Sequence, residues 1–389
     1  MIRILDKNKC SGCFACYNKC PVNAISMPED ENGFRYPVVD ETKCIKCGLC
    51  KKVCVYNNST VKQFTNTNEP KIYAMKSLND KNRLESSSGG IFTELSKYIF
   101  ENNGVVFGAG FDKDLNVIHK AAKDIKELKE LKGSKYVQSY VGKSYFEVEE
   151  FLKNDVLVMF VGTPCQIAGL YKYLGDKDYD NLYTVDLICH GVPSSKVYRK
   201  YLNELEVKNN SKISKIYFRD KEEGWTNFSI KVLFENRTQY RKNLNEDIYM
   251  KLFLRNICLR KTCYDCKFSK IPRIADITLG DYWGIKNKYP ELDTDDKGIS
   301  EVLINSAKGK EFINKINSKI NMNDTDFQFG LSANPCIYRS VKEPKKREKF
   351  FGDLDKYSLE ILKNKYCPDS NILTKVINKS KSILVKILK

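Results

Sequence analysis

Between residues 71 and 310 the apolar and polar positions fall into short runs that switch between two periods. Lys71-Ile-Tyr-Ala-Met-Lys76 reads as a strand, and Ser86-Ser87-Ser88-Gly89-Gly90 opens a helix with apolar Ile91, Phe92, Leu95 and Ile99. Gly104 stops that helix and Val105-Val-Phe107 begins the next strand. Asp155-Val-Leu-Val-Met-Phe-Val161 and Leu182-Tyr-Thr-Val-Asp-Leu-Ile188 read as buried strands. Each leads into a helix, one holding Ile167, Leu170 and Leu174 and the other starting at Ser195. Shorter strands are expected near 213–219, 228–234 and 275–280. Strand and helix in alternation predict an α/β domain with a mixed sheet over residues 71–345.

Two segments flank it. Residues 59–70 are polar and end in proline, the composition of a linker, and set off residues 1–58 as a separate domain. Residues 346–389 read as a basic tail ending in a short amphipathic helix. In that helix Ile372, Leu373, Val376, Ile377, Ile383, Leu384, Ile387 and Leu388 share a face, with five lysines and no acids in the segment. Such a helix is able to make peripheral contact with an anionic inner membrane surface, or to dock on its own domain; the absence of Trp and Phe anchors favours docking.

Residues 1–58 have neither period strongly and are organised instead by cysteine. Cys10, Cys13, Cys16 and Cys20 share the spacing C-x-x-C-x-x-C-x-x-x-C with Cys44, Cys47, Cys50 and Cys54, 34 residues further on. This is the bacterial dicluster ferredoxin spacing, an α+β domain holding two 4Fe-4S cubanes, in which the fourth cysteine of each run reaches the other cluster. The crossed sets are Cys10, Cys13, Cys16, Cys54 and Cys44, Cys47, Cys50, Cys20. A disulfide framework suits short secreted chains, and this one opens without a secretory leader. Zinc asks for pairs of ligands in fours rather than triplets. Gly12, Ala15 and Gly48 keep the loops thin enough for N–H groups to reach the sulfurs, and Val55 stands where the second run would carry proline.

The formal charge of +17 resembles a nucleic-acid binder's. Each cubane with four thiolates carries roughly −2, so three of them lower the balance to about +11, and the lysines are scattered rather than set in a stripe interleaved with aromatics. No nucleic-acid partner is expected; an acidic partner, an anionic coenzyme or a membrane surface fits the remaining excess. Fifteen cysteines and oxygen-sensitive clusters point to a reducing cytoplasm, that of an anaerobe. No apolar run is long enough to span a bilayer. The sequence has no H-E-x-x-H, no serine nucleophile elbow and no Walker loop, which removes metalloproteases, common hydrolases and nucleotide-driven motors.

Beyond residue 58, Cys165, Cys189 and the pair Cys263-Tyr-Asp-Cys266 lie at strand ends or in tight loops, and four thiols are what a third cubane needs. Cys258 competes for one place in the set, a redox dithiol is the rival for Cys263/Cys266, and Cys336 and Cys367 stand alone. Ser88-Gly89-Gly90 before a helix offers bare N–H groups to a pyrophosphate, or is a plain N-cap. Lys132 and Lys135 would clamp a second phosphate and Tyr136 would stack on a ring, or they form a solvated basic loop. His190 abuts Cys189 and is the candidate catalytic residue, with a satisfied structural histidine as the alternative. Asp276 and Asp281 are turn residues or hold a ribose hydroxyl.

Ser87-Ser88-Gly89-Gly90, Lys132-Gly-Ser-Lys135-Tyr136-Val-Gln-Ser139, Gly162-Thr-Pro-Cys165-Gln166, Cys189-His-Gly-Val-Pro-Ser194, Phe218-Arg219-Asp220-Lys221 and Ala275-Asp276-Ile-Thr-Leu-Gly280-Asp281 occur in this order. Together they resemble the coenzyme F420 hydrogenase/dehydrogenase beta-subunit family over roughly residues 70 to 310. The resemblance implies an FAD site at the Ser-Ser-Gly-Gly turn and the Lys-Gly-Ser-Lys-Tyr segment, a third cubane on the cysteines just named, and hence a flavin-binding α/β domain. It implies an oxidoreductase passing electrons between a hydride-carrying coenzyme, F420-like or nicotinamide, and one-electron carriers, with a redox partner protein or small-molecule acceptor. The alternatives are a non-catalytic iron-sulfur electron-transfer adaptor and a basic iron-sulfur nucleic-acid-binding protein.

Overall fold

The computed structural model describes residues 1–3, 6–57 and 70–368. In the first part, strands β1 (Ile25–Ser26) and β2 (Val38–Val39) pair antiparallel, and the helical turns Ala15–Asn18 and Leu49–Lys52 each carry the third cysteine of one run. The amphipathic segment 372–389 and nearly all of the expected linker lie outside the described residues.

Downstream come β3 (Lys71–Ser77), β4 (Val105–Phe111), β5 (Val117–Ala122), β6 (Val158–Gly162) and β7 (Leu182–Leu187). Then β8 (Ile213–Asp220), β9 (Ser229–Phe234) and β10 (Gln239–Asn243) pair antiparallel with one another in a sheet of their own. β11 (Ile277–Asp281), β12 (Ser300–Ile304) and β13 (Ile320–Asp324) return to the main sheet, whose order is β13-β3-β12-β11-β7-β6-β4-β5. The inner strands β4, β6, β7 and β11 are parallel, with antiparallel neighbours on both sides, so the sheet is mixed.

β6 is apolar at every position because both of its faces are covered. Val158 and Phe160 face one core with Tyr145, Ile167 and Leu170, while Met159 and Val161 face another with Leu95, Ile99 and Phe312. The first of these cores also contains Phe14, Ala15, Ile25, Met27, Val53 and Val55. The cysteine-rich part is therefore packed on one face of the main sheet, with its turn Ala15–Asn18 against the helix Pro164–Tyr173. A Cβ on Gly169 would stand 3.0 Å from that of Cys13, so the small residue lets the two backbones approach.

The first part of the expected tail is helical and packed. Helices Arg347–Asp353 and Leu359–Tyr366 bury Phe350, Phe351, Leu354, Leu359 and Leu362 against Tyr201, Tyr249 and Phe253, and the Arg347 guanidinium donates to Leu259 O at 2.8 and 3.0 Å. Residues up to 368 belong to the body of the protein. No helix among the described residues is long and apolar enough to cross a membrane.

Candidate functional site

The duplicated spacing produces a duplicated backbone. Gly12 and Lys46, 34 positions apart, have φ of +66° and +57°, and Phe14 and Gly48 have +65° and +79°. Each cysteine loop thus turns through the left-handed region at the same two points before its helical turn. Cys10, Cys13, Cys16 and Cys54 stand together: burial raises the pKa of the first three, Cys13 to about 12, and each also feels the neighbouring thiols, Cys54 among them. In the other set Cys50 is buried, Cys20 and Cys44 are half-buried and Cys47 is exposed. A cluster of buried neutral thiols is poised to lose its protons to metal, which supplies the compensating charge. Among the described residues no group of three or more His, Cys, Asp or Glu is disposed to hold a single metal ion; a cubane, whose irons hold four sulfurs apart, asks for a wider set.

The main sheet presents the second constellation. β6 ends at Gly162 and β7 at Leu187; Cys165, in the first turn of the helix Pro164–Tyr173, and Cys189, in the loop after β7, lie at the carboxyl ends of the parallel strands, where open α/β sheets place their ligands. Cys263 and Cys266 come from the loop Lys261–Asp265 and its end. All four thiols line one cavity together with Ser11, His190, Val192, Arg273 and Cys336. Burial pushes Cys165 up to about 11 and Cys263 to about 12 and raises Cys189 as well, and neighbouring thiols of the cavity push each of these three further up. Cys165 also adds to the upward shift of Cys13, so this cavity and the first cysteine set adjoin. Cys258 stands elsewhere, in the core beside Cys367, where burial keeps its thiol protonated.

His190 lies on the cavity wall with both nitrogens engaged. Nε2 is 2.6 Å from Asn256 Oδ1, Nδ1 is 3.9 Å from Cys336 Sγ, and burial lowers its pKa. Cys336, which stands alone in the sequence, is thereby a member of the same cavity. Nothing in its flanking residues signals this, because it arrives from the loop after residue 334. Arg273 closes the wall through a fully buried ion pair to Asp186, 3.0 Å.

The residues named for FAD are engaged with each other and with backbone. Lys135 Nζ donates to three carbonyls, Glu130, Leu131 and Lys132, at 2.9–3.0 Å, closing the C-terminus of the helix Ile125–Leu131, and its pKa is depressed to about 7 by burial. It thereby caps that helix. Lys132 is paired to Glu85 at 2.9 Å. The Ser87 hydroxyl accepts from Ser134 N and Ser134 Oγ, and Ser88 Oγ donates to Ile299 O at 2.7 Å. Gly89 is pressed between strands: a Cβ there would lie 2.4 Å from Met75 O and 2.7 Å from Ser300 N. Gly90, at φ +88°, caps the helix Ile91–Glu101, whose first turn holds buried Glu94 beside Ser77 and Asn82. Tyr136 accepts from Arg219 at 3.1 Å and packs on Phe218 and Phe253.

Asp276 and Asp281 sit at opposite ends of β11, roughly 16 Å apart at the usual rise per residue. Asp276 accepts from Thr184 N, Thr184 Oγ1 and Ser306 Oγ. Asp281 takes a bidentate ion pair from Arg219, 2.6 and 3.0 Å, and the indole N–H of Trp225 at 2.7 Å. Lys221 Nζ donates to Arg83 O, Ser88 O and Lys297 O. The Phe218-Arg219-Asp220-Lys221 motif thus ties the Ser87-Ser88 turn to the end of β11.

Eight cysteines in a repeat, packed against a mixed α/β sheet whose strand ends bring four more together, define an iron-sulfur protein with a ferredoxin-like module fused to an α/β domain. Residues 9–58 match the 4Fe-4S dicluster domain, and residues 156–327 match the family described as the C terminus of the coenzyme F420 hydrogenase/dehydrogenase beta subunit. The α/β part is thus similar to the C-terminal part of that beta-subunit family, and the dicluster domain lies on its N-terminal side. It is 31% identical over 173 residues, 43% of its length, to a coenzyme F420-dependent sulfite reductase of Methanocaldococcus jannaschii, and spans only 26% of that protein. It is 37% identical over 59 residues, 15% of its length, to an uncharacterized ferredoxin of the same organism, covering 75% of it. One polypeptide of the F420-reducing NiFe hydrogenase complex from Methanosarcina barkeri superposes with a TM-score of 0.48 at 18% identity, over 70% of this chain and 91% of that one.

Proposed function

We propose that this protein is an oxidoreductase that passes electrons between a hydride-carrying coenzyme, F420-like or nicotinamide, and one-electron carriers via three 4Fe-4S clusters and FAD, which would take up the hydride's two electrons and release them singly. The observation that carries the reading is the cavity shared by Cys165, Cys189, Cys263 and Cys266 beside the Cys10, Cys13, Cys16, Cys54 set. A bound cubane accepts and returns one electron at a time. The chain's own contribution is order: a buried set at the sheet, a second buried set next to it, and a third set, Cys44, Cys47, Cys50 and Cys20, that reaches the surface at Cys47. Electrons entering at the sheet would leave at that surface, or the reverse. His190, fixed by Asn256, and the Arg273–Asp186 pair hold the wall of the sheet-side cavity. The similarity to an F420-dependent sulfite reductase supports the coenzyme class.

In the segments that resemble an FAD site, Ser87, Ser88, Lys132 and Lys135 are bonded to other groups of the protein. That engagement favours a second reading, an electron-transfer adaptor that receives electrons from a partner enzyme rather than from a coenzyme. One experiment separates them. Protein purified without oxygen is assayed for iron and flavin, as is its Cys189→Ser variant. Three clusters require about twelve irons per chain, falling by about four in the variant while the ferredoxin signals persist. Stoichiometric flavin and reduction by F420 or NAD(P)H would favour the oxidoreductase; neither would favour the adaptor. About eight irons in both proteins would overturn the third cluster.

A further inference from the structure

Arg260 is fully buried, and among the described residues no carboxylate pairs with it. Its backbone belongs to the third-cluster loop: Arg260 N donates to Val192 O and Arg260 O accepts from Cys263 N, both at 2.9 Å. Its side chain leaves that loop and enters the ferredoxin module. Nε donates to Cys10 O at 2.8 Å, Nη2 to Arg35 O at 2.9 Å, and Nη1 to Gln138 Oε1 at 3.1 Å, with Nη2 3.7 Å from Cys10 Sγ. The guanidinium lies over the Tyr36 ring, 4.3 Å from its centroid. Gln138 in turn donates to Ser11 O at 2.9 Å. Gly12 makes the approach feasible, since a Cβ there would stand 2.9 Å from Gln138 Nε2 and 3.1 Å from Arg260 Nη1.

Every acceptor around this cation is formally neutral: two carbonyls, an amide and a thiol. A charge taken wholly out of water needs an opposite charge nearby. The groups within its reach that become anionic are cysteines, on two sides. Cys10 Sγ stands 3.7 Å from Nη2 on one side; on the other, Cys263, whose N–H donates to Arg260 O, lines one cavity with Cys165 and with Ser11, the residue next to Cys10. Cysteines on a cluster are thiolates, and a cubane with four of them is a net anion.

We propose that Arg260 is the shared counter-charge of two iron-sulfur centres, one held by Cys10, Cys13, Cys16 and Cys54 and the other by Cys165, Cys189, Cys263 and Cys266, and that it raises the reduction potential of both. This rests on the three-cluster reading. Because reduction adds negative charge to a centre, a fixed cation beside it favours the reduced form; a cation between two centres does so for each. The set Cys44, Cys47, Cys50 and Cys20 is reached by none of these side-chain or backbone contacts and opens to the surface at Cys47, where solvent screens charge, so its potential is set without Arg260.

The test is an EPR-monitored redox titration of full-length protein, with signals assigned through the Cys189→Ser and Cys47→Ser variants. In Arg260→Gln the two buried centres should titrate at more negative potentials and the exposed one should not move; Arg260→Lys should lie closer to the parent. Gln138→Glu, which keeps the arginine and sets a carboxylate against it, should shift the Cys10-containing centre in the same negative direction. Unchanged potentials in an iron-replete Arg260→Gln protein overturn the proposal, as does an equal shift of all three centres. If Arg260→Gln fails to hold iron, Gln138→Glu decides, and an unmoved potential there overturns it. An iron count of about eight in the parent would sink the three-cluster reading instead, and the Cys10 centre alone would then report on Arg260.

Discussion

Glu301 shows how a single residue is defined by its surroundings rather than by its type. It occupies an inward position of β12, where one carboxyl oxygen accepts from the Asn334 amide and the other is buried without a hydrogen bond. Burial raises its pKa to about 8. The folded protein therefore keeps a proton that the unfolded chain releases near 4.5, and stability falls as pH rises from about 4.5 to about 8, on the order of 4 kcal/mol over that window. Glu301→Gln should flatten this slope and unfold at higher denaturant than the parent at pH 8; equal midpoints at pH 8 would refute the protonated state. Asp186 and Arg273 make the opposite case, a buried pair in which removing one partner strands the other. Asp186→Asn should cost about 3–5 kcal/mol in chemical denaturation, and more than the double replacement with apolar residues. At this scale the sequence was legible where spacing is the signal, as in the repeat of cysteines. It was not legible for Lys135, Asp276 and Arg260, because a lysine two residues after a glycine looks the same whether its ammonium meets a phosphate or the end of a helix.

At the scale of elements, alternation of period located the central strands and the helices after them. β6 is uniformly apolar because covered faces on both sides leave no polar stripe, while β7 departs from this only at Thr184 and Asp186, buried and bonded to Asp276 and Arg273. The strands that escaped are those with another pattern. β5, β10 and β13 lie at sheet edges, and Gln239-Tyr-Arg-Lys-Asn243 has the polar composition of an exposed loop. β12 is interior, but Ser300 and Glu301 hide it. Helices Arg347–Asp353 and Leu359–Tyr366 are short and lysine-flanked, and only their contacts reveal that they close the core. The turn at Gly89 gives an element-scale prediction. Gly89→Val must push β3 away from β12, so it should lower stability by about 1–3 kcal/mol or more and do so equally in protein stripped of cofactors. A loss of ligand with unchanged unfolding would assign the glycine to binding instead.

For the whole molecule, the important quantity is the depth of each cysteine set. Cys165, Cys189 and Cys263 are enclosed by the sheet and its loops, Cys10, Cys13 and Cys16 by the join between the two parts, and Cys47 is exposed. Iron should leave in that order reversed: on exposure to air, roughly four irons are lost first, and their loss should coincide with that of the signal assigned through Cys47→Ser. Release of all iron in one phase would contradict the ordering. The join itself was invisible in a sequence that reads as two domains and a linker, since Phe14, Val53 and Val55 look like the interior of a small module and serve as its adhesive face. The twin loops have a further consequence. Their backbones turn alike at Gly12/Lys46 and Phe14/Gly48, yet Gly12 is hemmed in by Gln138 and Arg260 while nothing stands within 4 Å of a Cβ on Gly48, and Ile45 is 61% exposed. Ancestry by duplication would have begun with equal freedom in both halves. In a library randomised between the cysteines and sorted for retained colour, variety should survive at positions 45, 46 and 48 and vanish at 11, 12 and 14, so that the copy facing solvent is the one left open to drift toward new partners.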